Sequence, residues 1–231
     1  MATVYVIGTP IGNLEDITLR ALRILGEVDL IACEDTRMTA KLLAKYEIRK
    51  PLLSYHAQSK LSQEERIISL LGEGKSIALV SDAGTPAISD PGSRLIARIK
   101  EALPEALVIP IPGPSALISA LSASGLPASE FIFLGFLPHK KGRETLFGEI
   151  STTERTVAFY ESPHRILKAI ASLQKHFEAA GTPLRKVVIG RELTKIYEEM
   201  VSGSPTELLA YFAAHPDKVR GEFVVMVAPR G

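Results

Sequence analysis

The chain has one cysteine, Cys33, in 231 residues. It can form no internal disulfide, which fits a reducing compartment. No basic-then-apolar leader opens the sequence, and no apolar run approaches the ~18–20 residues that span a bilayer. A cytoplasmic protein with no membrane partner is expected. An excess of charge of one sign is also missing. A net charge of +1 neither favours nor excludes nucleic acid, because an RNA binder needs a concentrated basic face rather than a basic total.

Several signatures of chemistry are absent as well. His56, His139, His164, His176 and His215 show no ligand spacing, so no metal site is expected. No Gly-x-Ser-x-Gly elbow occurs. The first apolar run leads into Gly8-Thr9-Pro10-Ile11-Gly12, where Pro10 stands in place of the second glycine of a dinucleotide loop. It removes a backbone donor and fixes φ, which argues against a Rossmann cofactor site. Gly74-Lys75-Ser76 looks like the tail of a P-loop, but Ser69 occupies the place of the required earlier glycine. The segment also leads from helix into strand, so it reads as a helix-to-strand turn.

What is present is a globular balance, 46% hydrophobic and 23% charged, in which short apolar runs alternate with stretches of helical period. Strands are expected at Thr3–Ile7, Asp29–Cys33, Leu52–Tyr55, Ser76–Ser81 and Leu107–Ile111. Helices are expected from Asn13 as N-cap (with Ile17, Ala21, Leu22 and Leu25 on one face), over Arg37–Tyr46, over Glu64–Leu71 behind a Ser62/Glu65 capping box, and up to Glu101. Pro110, Pro112 and Pro114 around Gly113 mark a boundary between domains 1–112 and 113–231. The second half reads as helices Ser115–Ser124, Arg143–Ile150, Pro163–Phe177 and Pro205–Ala214. Its strands are expected at Phe131–Leu134, Thr156–Tyr160, Lys186–Gly190, Glu198–Val201 and Glu222–Val227. Three late strands with few helices between them imply an antiparallel component. The fold class is α/β in two domains, with a mainly parallel sheet first and a mixed sheet second.

Three Gly/Pro-rich loops follow parallel strands: Gly8–Asn13, Ser81–Pro91 and Pro112–Ser115. Ligands of open α/β sheets collect at the carboxyl ends of strands, so these loops are candidates for one site, although strand-to-helix turns share their composition. The segment Gly8–Thr18 resembles the N-terminal signature of the tetrapyrrole methylase superfamily (class III methyltransferases), and more narrowly its ribosomal small-subunit RNA cytidine 2′-O-methyltransferase branch. The likeness continues through Cys33–Arg37, Ser81–Pro86, Pro112–Ala116, Phe159–Arg165, Arg191–Lys195 and Gly221–Val225. It implies S-adenosylmethionine in an interdomain cleft and a homodimer. Pro10, Asp82, Thr85, Ser115, Ala116, Tyr160, Leu193 and Phe223 would line the cofactor. Many members of this branch carry a further helical segment beyond the position of Gly231.

The superfamily also methylates tetrapyrrole carbons, and a catalytically silent protein binding S-adenosylmethionine or RNA is a third reading. Arg37, Lys41 and Lys45 form a basic stripe at helical spacing, followed by Arg49 and Lys50. His139-Lys140-Lys141-Gly142-Arg143 forms a second basic cluster, and Arg165 joins the candidate RNA contacts. The stripe also reads as a solvated helix face, and the second cluster adds to the RNA reading. The branch-specific segments favour ribosomal RNA or the small ribosomal subunit as partner. Glu34, Asp35, Glu161, Arg191, Glu192 and Lys195 are candidates to activate a hydroxyl or to steady the developing alkoxide. The segment Arg191–Lys195 is the favoured one, since it offers a base and a cation together.

Overall fold

The computed structural model describes residues 1–55, 61–90 and 92–230, so His56 and Pro91 lie outside the described residues. The chain forms two compact units, Met1–Ser115 and Ala116–Gly231.

In the first unit, β1 (Thr3–Ile7), β2 (Leu30–Cys33), β3 (Leu52–Ser54), β4 (Ser76–Leu79) and β5 (Leu107–Ile111) make one sheet in the order β3-β2-β4-β1-β5. Every pairing is parallel. The helices α1 (Leu19–Glu27) and α2 (Thr36–Lys45) pack on one face, while α3 (Leu61–Gly72) and α4 (Ser93–Ala102) cover the other. Strands buried on both faces need apolar residues at nearly every position, as Leu-Ile-Ala-Cys in β2 shows. The chain leaves β1 toward one face and the adjacent β4 toward the other. All parallel strands deliver their following loops to one edge.

Two helix starts in this unit differ from expectation by three residues or more. Asn13 caps only a 3-10 turn, Leu14–Asp16, through a bond from the Glu15 N–H, and α1 begins later behind Thr18, whose hydroxyl accepts from the Ala21 N–H. Two good caps in tandem divide what the apolar periodicity joined. Helix α3 already begins at Leu61, so Ser62 and Glu65 lie inside it rather than at its cap. Gly74 takes a left-handed φ of 83° as α3 ends. The Lys75 N–H there donates to the Leu70 carbonyl, which is the turn reading of that P-loop-like tail.

The second unit holds α5 (Ala116–Ser124), β6 (Phe131–Phe136), α6 (Arg143–Thr152), β7 (Thr156–Glu161), α7 (Ile166–Ala179), β8 (Val187–Arg191), β9 (Glu199–Gly203), α8 (Pro205–Ala214) and β10 (Phe223–Val227). Its sheet runs β6-β7-β10-β8-β9. Only the β6/β7 pair is parallel; β10 lies antiparallel between β7 and β8, and β9 antiparallel to β8. A capping box, Ser204 with Glu207 and Pro205 between, starts α8 at the expected residue. One face carries the large core under α6, α7 and α8, and the other carries only α5. Among the described residues no helix is long and apolar enough to cross a membrane.

The buried Arg185 ties this unit together without a carboxylate. Its guanidinium donates to the carbonyls of Ile150, Ser151 and Thr153 at the end of α6, and to that of Ala228 beyond β10. Burial holds its pKa down at about 10. Replacing it by Met leaves four carbonyls without their donor. Arg185→Met is expected to lower the unfolding free energy by about 3 kcal/mol, read as a shift of the urea midpoint; an unshifted midpoint overturns this role.

Candidate active site

At the carboxyl edge of the first sheet, three loops are knit into one surface. Thr9 after β1 and Gly84 after β4 form an antiparallel bridge, with N···O distances of 2.9 and 3.0 Å. The Thr9 hydroxyl also donates to the Ser81 carbonyl at 3.1 Å. The loop after β5 lies directly on the loop after β1: a Cβ on Gly8 would fall 2.8 Å from Gly113 Cα, and one on Gly113 would fall 2.7 Å from the Gly8 oxygen. Thr85 closes the set by donating to the Pro114 carbonyl. Glycine at 8 and 113 is therefore a packing requirement, because two backbones touch there. Pro10 is buried in the same cluster, while the Asp82 side chain is exposed beside it.

The loop after β4 is also strained. Ala87 and Ser89 hold φ of 69° and 63° with no glycine to ease it, a conformation that L residues avoid and that concentrates at functional sites. Nothing in the local sequence signals this.

Glu34 leaves the end of β2 toward these loops. Its Oε1 is buried and has no hydrogen-bond partner among the described residues. Burial, and then the negative charges of Asp90 and Asp82, push its pKa up to about 7. Burial also raises Asp90, a residue the sequence reading passed over. Asp82 joins the two strand ends, since its Oδ1 accepts from the Asp35 N–H at 2.9 Å.

Asp35 is not an available base. It caps α2 and holds Arg37, and those hydrogen bonds keep its carboxyl near 2. Arg37 nevertheless leaves 85% of its side chain in solvent, and Lys41 and Lys45 are exposed on the same helix. A cavity of about 940 Å³ beside the end of α2, lined by Ala44, Glu47, Arg49 and Lys50 among others, opens where β3 starts. That is the opposite edge of the sheet from the three loops, so it is no part of this constellation.

In the second unit the register sets Glu161, Phe223, Arg191 and Glu199 in one row across β7, β10, β8 and β9. Four of the expected roles meet structural contacts here. Glu161 is fully buried between Arg143 at 2.8 Å and Arg165 at 2.8 Å, so it is a structural counter-ion rather than a proton acceptor. Those two arginines are accordingly interior groups, donating to the Pro138 and Leu137 carbonyls, and are not free for phosphate. Arg191 is spent on Glu199 and on the Tyr197 and Arg220 carbonyls. Phe223 turns its ring into the large core against Phe212, which leaves only its backbone for a ligand.

The Glu192–Lys195 pair also holds itself. Lys195 Nζ lies 2.8 Å from Glu192 and 2.9 Å from Glu222, and the Glu222 N–H donates to the Glu192 carboxylate. Burial alone would raise Glu192, but these bonds outweigh it and keep its pKa low. A Cβ on Gly221 would sit 2.3 Å from that carboxylate. This pair braces the β8–β9 loop, with base and cation engaged by each other and by Glu222. Ala116, Tyr160 and Leu193, by contrast, come together on the α5 face of the sheet. Among the described residues no group of His, Cys, Asp or Glu could hold a metal ion.

The raised Glu34 pKa has a measurable consequence for stability. Below pH 4.5 its carboxyl is protonated in the folded and the unfolded chain alike. Between 4.5 and about 7 only the unfolded chain releases the proton, so stability declines as pH rises across that interval. Glu34→Gln is expected to flatten this part of the profile in urea titrations at successive pH values; a variant and parent that stay parallel overturn it.

The model of the Tetrapyrrole (Corrin/Porphyrin) Methylases matches residues 3–209. The Ribosomal RNA small subunit methyltransferase I of Thermotoga maritima is 45% identical over 99% of both chains. The protein of the same name from Halalkalibacterium halodurans is 48% identical over 99% of this chain and 76% of its own length. Among solved structures, a cobalt precorrin-4 methyltransferase aligns with a TM-score of 0.71 at 19% identity, covering 98% of this chain and 95% of that one. A uroporphyrin-III-C-methyltransferase from Thermus thermophilus gives 0.63 at 19%, covering 99% and 94%. At such identity these two share the fold. The chain belongs to the tetrapyrrole (corrin/porphyrin) methylases, on the branch of the ribosomal RNA small subunit methyltransferases I.

Proposed function

We propose that the protein transfers a methyl group from S-adenosylmethionine to the 2′-hydroxyl of a cytidine in small-subunit ribosomal RNA. The methylase family makes it a methyltransferase. What carries the RNA reading is the 45% identity to the Thermotoga enzyme over nearly the full length of both chains. The tetrapyrrole alternative has only the superfamily behind it, since those structures stand at 19% identity. A ribosomal substrate brings a cytoplasmic location with it, and the family resemblance brings a homodimer.

The cofactor fits the residues present. The Gly8/Gly113 contact leaves a rigid floor without side chains, and Asp82 offers an exposed carboxylate beside it. Pro10, Asp82, Thr85 and Ser115 of the first unit would hold it; the family resemblance assigns Ala116, Tyr160 and Leu193 to the cofactor as well. When bound, S-adenosylmethionine supplies an electrophilic methyl group on a sulfonium. Glu34 is the carboxyl suited to take the proton of the acceptor hydroxyl, because a base works best with its pKa near the working pH. Arg37, Lys41 and Lys45 on α2, with Lys140 and Lys141 of the second unit, would contact phosphate.

Small-subunit RNA incubated with labelled S-adenosylmethionine is expected to gain one linkage resistant to alkali, since a methylated 2′-oxygen cannot attack its phosphate. Label that enters a tetrapyrrole and not RNA overturns the reading. In calorimetry, Asp82→Ala and Ser115→Ala are each expected to weaken cofactor binding; unaltered affinity in both moves the site. The parent's single-turnover rate is expected to rise with pH through about 7. Glu34→Gln is expected to be slower by ~10²–10⁴-fold, with that ionisation gone and the affinities kept.

A further inference from the structure

We infer that the bulged end of β6, Phe136 together with Lys140 and Lys141, is a seat for single-stranded RNA, with one base stacked on the Phe136 ring and neighbouring phosphates held by the two lysines. The inference rests on the RNA reading above and deepens it.

The placement begins with one extra residue. Phe133 pairs with Ala158 but Phe136 pairs with Tyr160, so β6 spends three residues where β7 spends two. Gly135, at φ 61°, absorbs the irregularity. Side chains alternate along a strand, and Ile132 and Leu134 face the large core. In an unbroken strand residue 136 would follow them inward. The bulge turns it to the opposite face, beside Phe133 and Tyr160. There Phe136 is 58% exposed, although it is a large apolar ring.

The ring is also braced. Its centroid lies 5.3 Å from that of Tyr160, which in turn meets Phe133 edge-on at 5.0 Å. The chain beyond it is fastened by Arg165 and the buried Arg143 through the Leu137 and Pro138 carbonyls, and by the Arg143 N–H on the Lys140 carbonyl. A platform fixed before binding loses little entropy when a ligand arrives.

Charge selects the occupant. The buried carboxylate at the end of β7, Glu161, is engaged by Arg143 and Arg165. None of the described ion pairs includes Lys140 or Lys141, and both are exposed. A second copy of the chain docked by the same patch would bring these lysines toward one another. A polyanion carrying flat bases meets both the ring and the charge, and single strands are held in this way, by stacking on aromatic side chains within a basic groove.

The test is fluorescence anisotropy of a labelled ten-cytidine oligoribonucleotide against the full chain. Phe136→Ala is expected to lose roughly 5- to 150-fold in affinity with the salt slope unchanged, while Phe136→Trp keeps the affinity. Lys140→Ala with Lys141→Ala is expected to reduce the salt slope by about 1.4. A Phe136→Leu variant that binds like the parent overturns stacking. Intact RNA affinity in Phe136→Ala overturns the seat, and a changed sedimentation coefficient or weakened cofactor binding then assigns the ring to a second copy or to the cofactor. If the parent itself binds no RNA and labels none, the RNA reading fails along with it.

Discussion

The close approach of Gly8 to Gly113 is the constraint on which the first unit's site depends. Two backbone segments separated by more than a hundred residues touch with no room for a methyl group between them. That contact, with the Thr9–Gly84 bridge, converts three separate strand-to-helix turns into one rigid surface. Glu34 and Asp82 acquire their surroundings from this surface, and the raised carboxyl follows from crowding and burial rather than from any motif. The parallel sheet makes the arrangement available, because it sends every following loop to the same edge.

Much of this was legible in the sequence for a specific reason. Strands β1 and β5 and helix α8 fall at the expected residues. Each carries a strong local signal: Gly8 closes β1, Pro112 closes β5, and the Ser204/Glu207 capping box opens α8. The three Gly/Pro loops announced themselves by composition. The start of α1 was misplaced because Asn13 and Thr18 are both good caps, and periodicity alone does not choose between them. The Ala87 and Ser89 conformations had no signature at all, since tertiary packing imposes them on residues that do not prefer them.

Charged residues were the least legible. Sequence places Glu161, Arg165, Arg191, Glu192 and Lys195 near strand ends, and strand ends suggest chemistry. The structure spends them on one another or on backbone carbonyls. Such pairing joins residues 18 positions apart in the case of Arg143 and Glu161, a relation that no local pattern encodes. Buried charge requires a partner, so a row of charges at a sheet edge is as readily a frame for loops as a set of reagents. Glu34 differs because one of its oxygens is buried with no hydrogen-bond partner among the described residues.

The bulge in β6 ties the facing of that segment to the number of its residues. Facing alternates with parity, so the same residues paired without the bulge would interchange inside and outside for everything beyond Leu134. Leu137, now sealed in the core, would emerge, and the aromatic ring would be driven inward. Removing one residue between Phe133 and Phe136 would instead set two residues against two, abolish the bulge and leave the ring outside. Substitution at Leu134 alters how well the strand packs, whereas the extra residue and its bulge decide which side chains meet solvent. In this stretch the count of residues carries information that their identities do not.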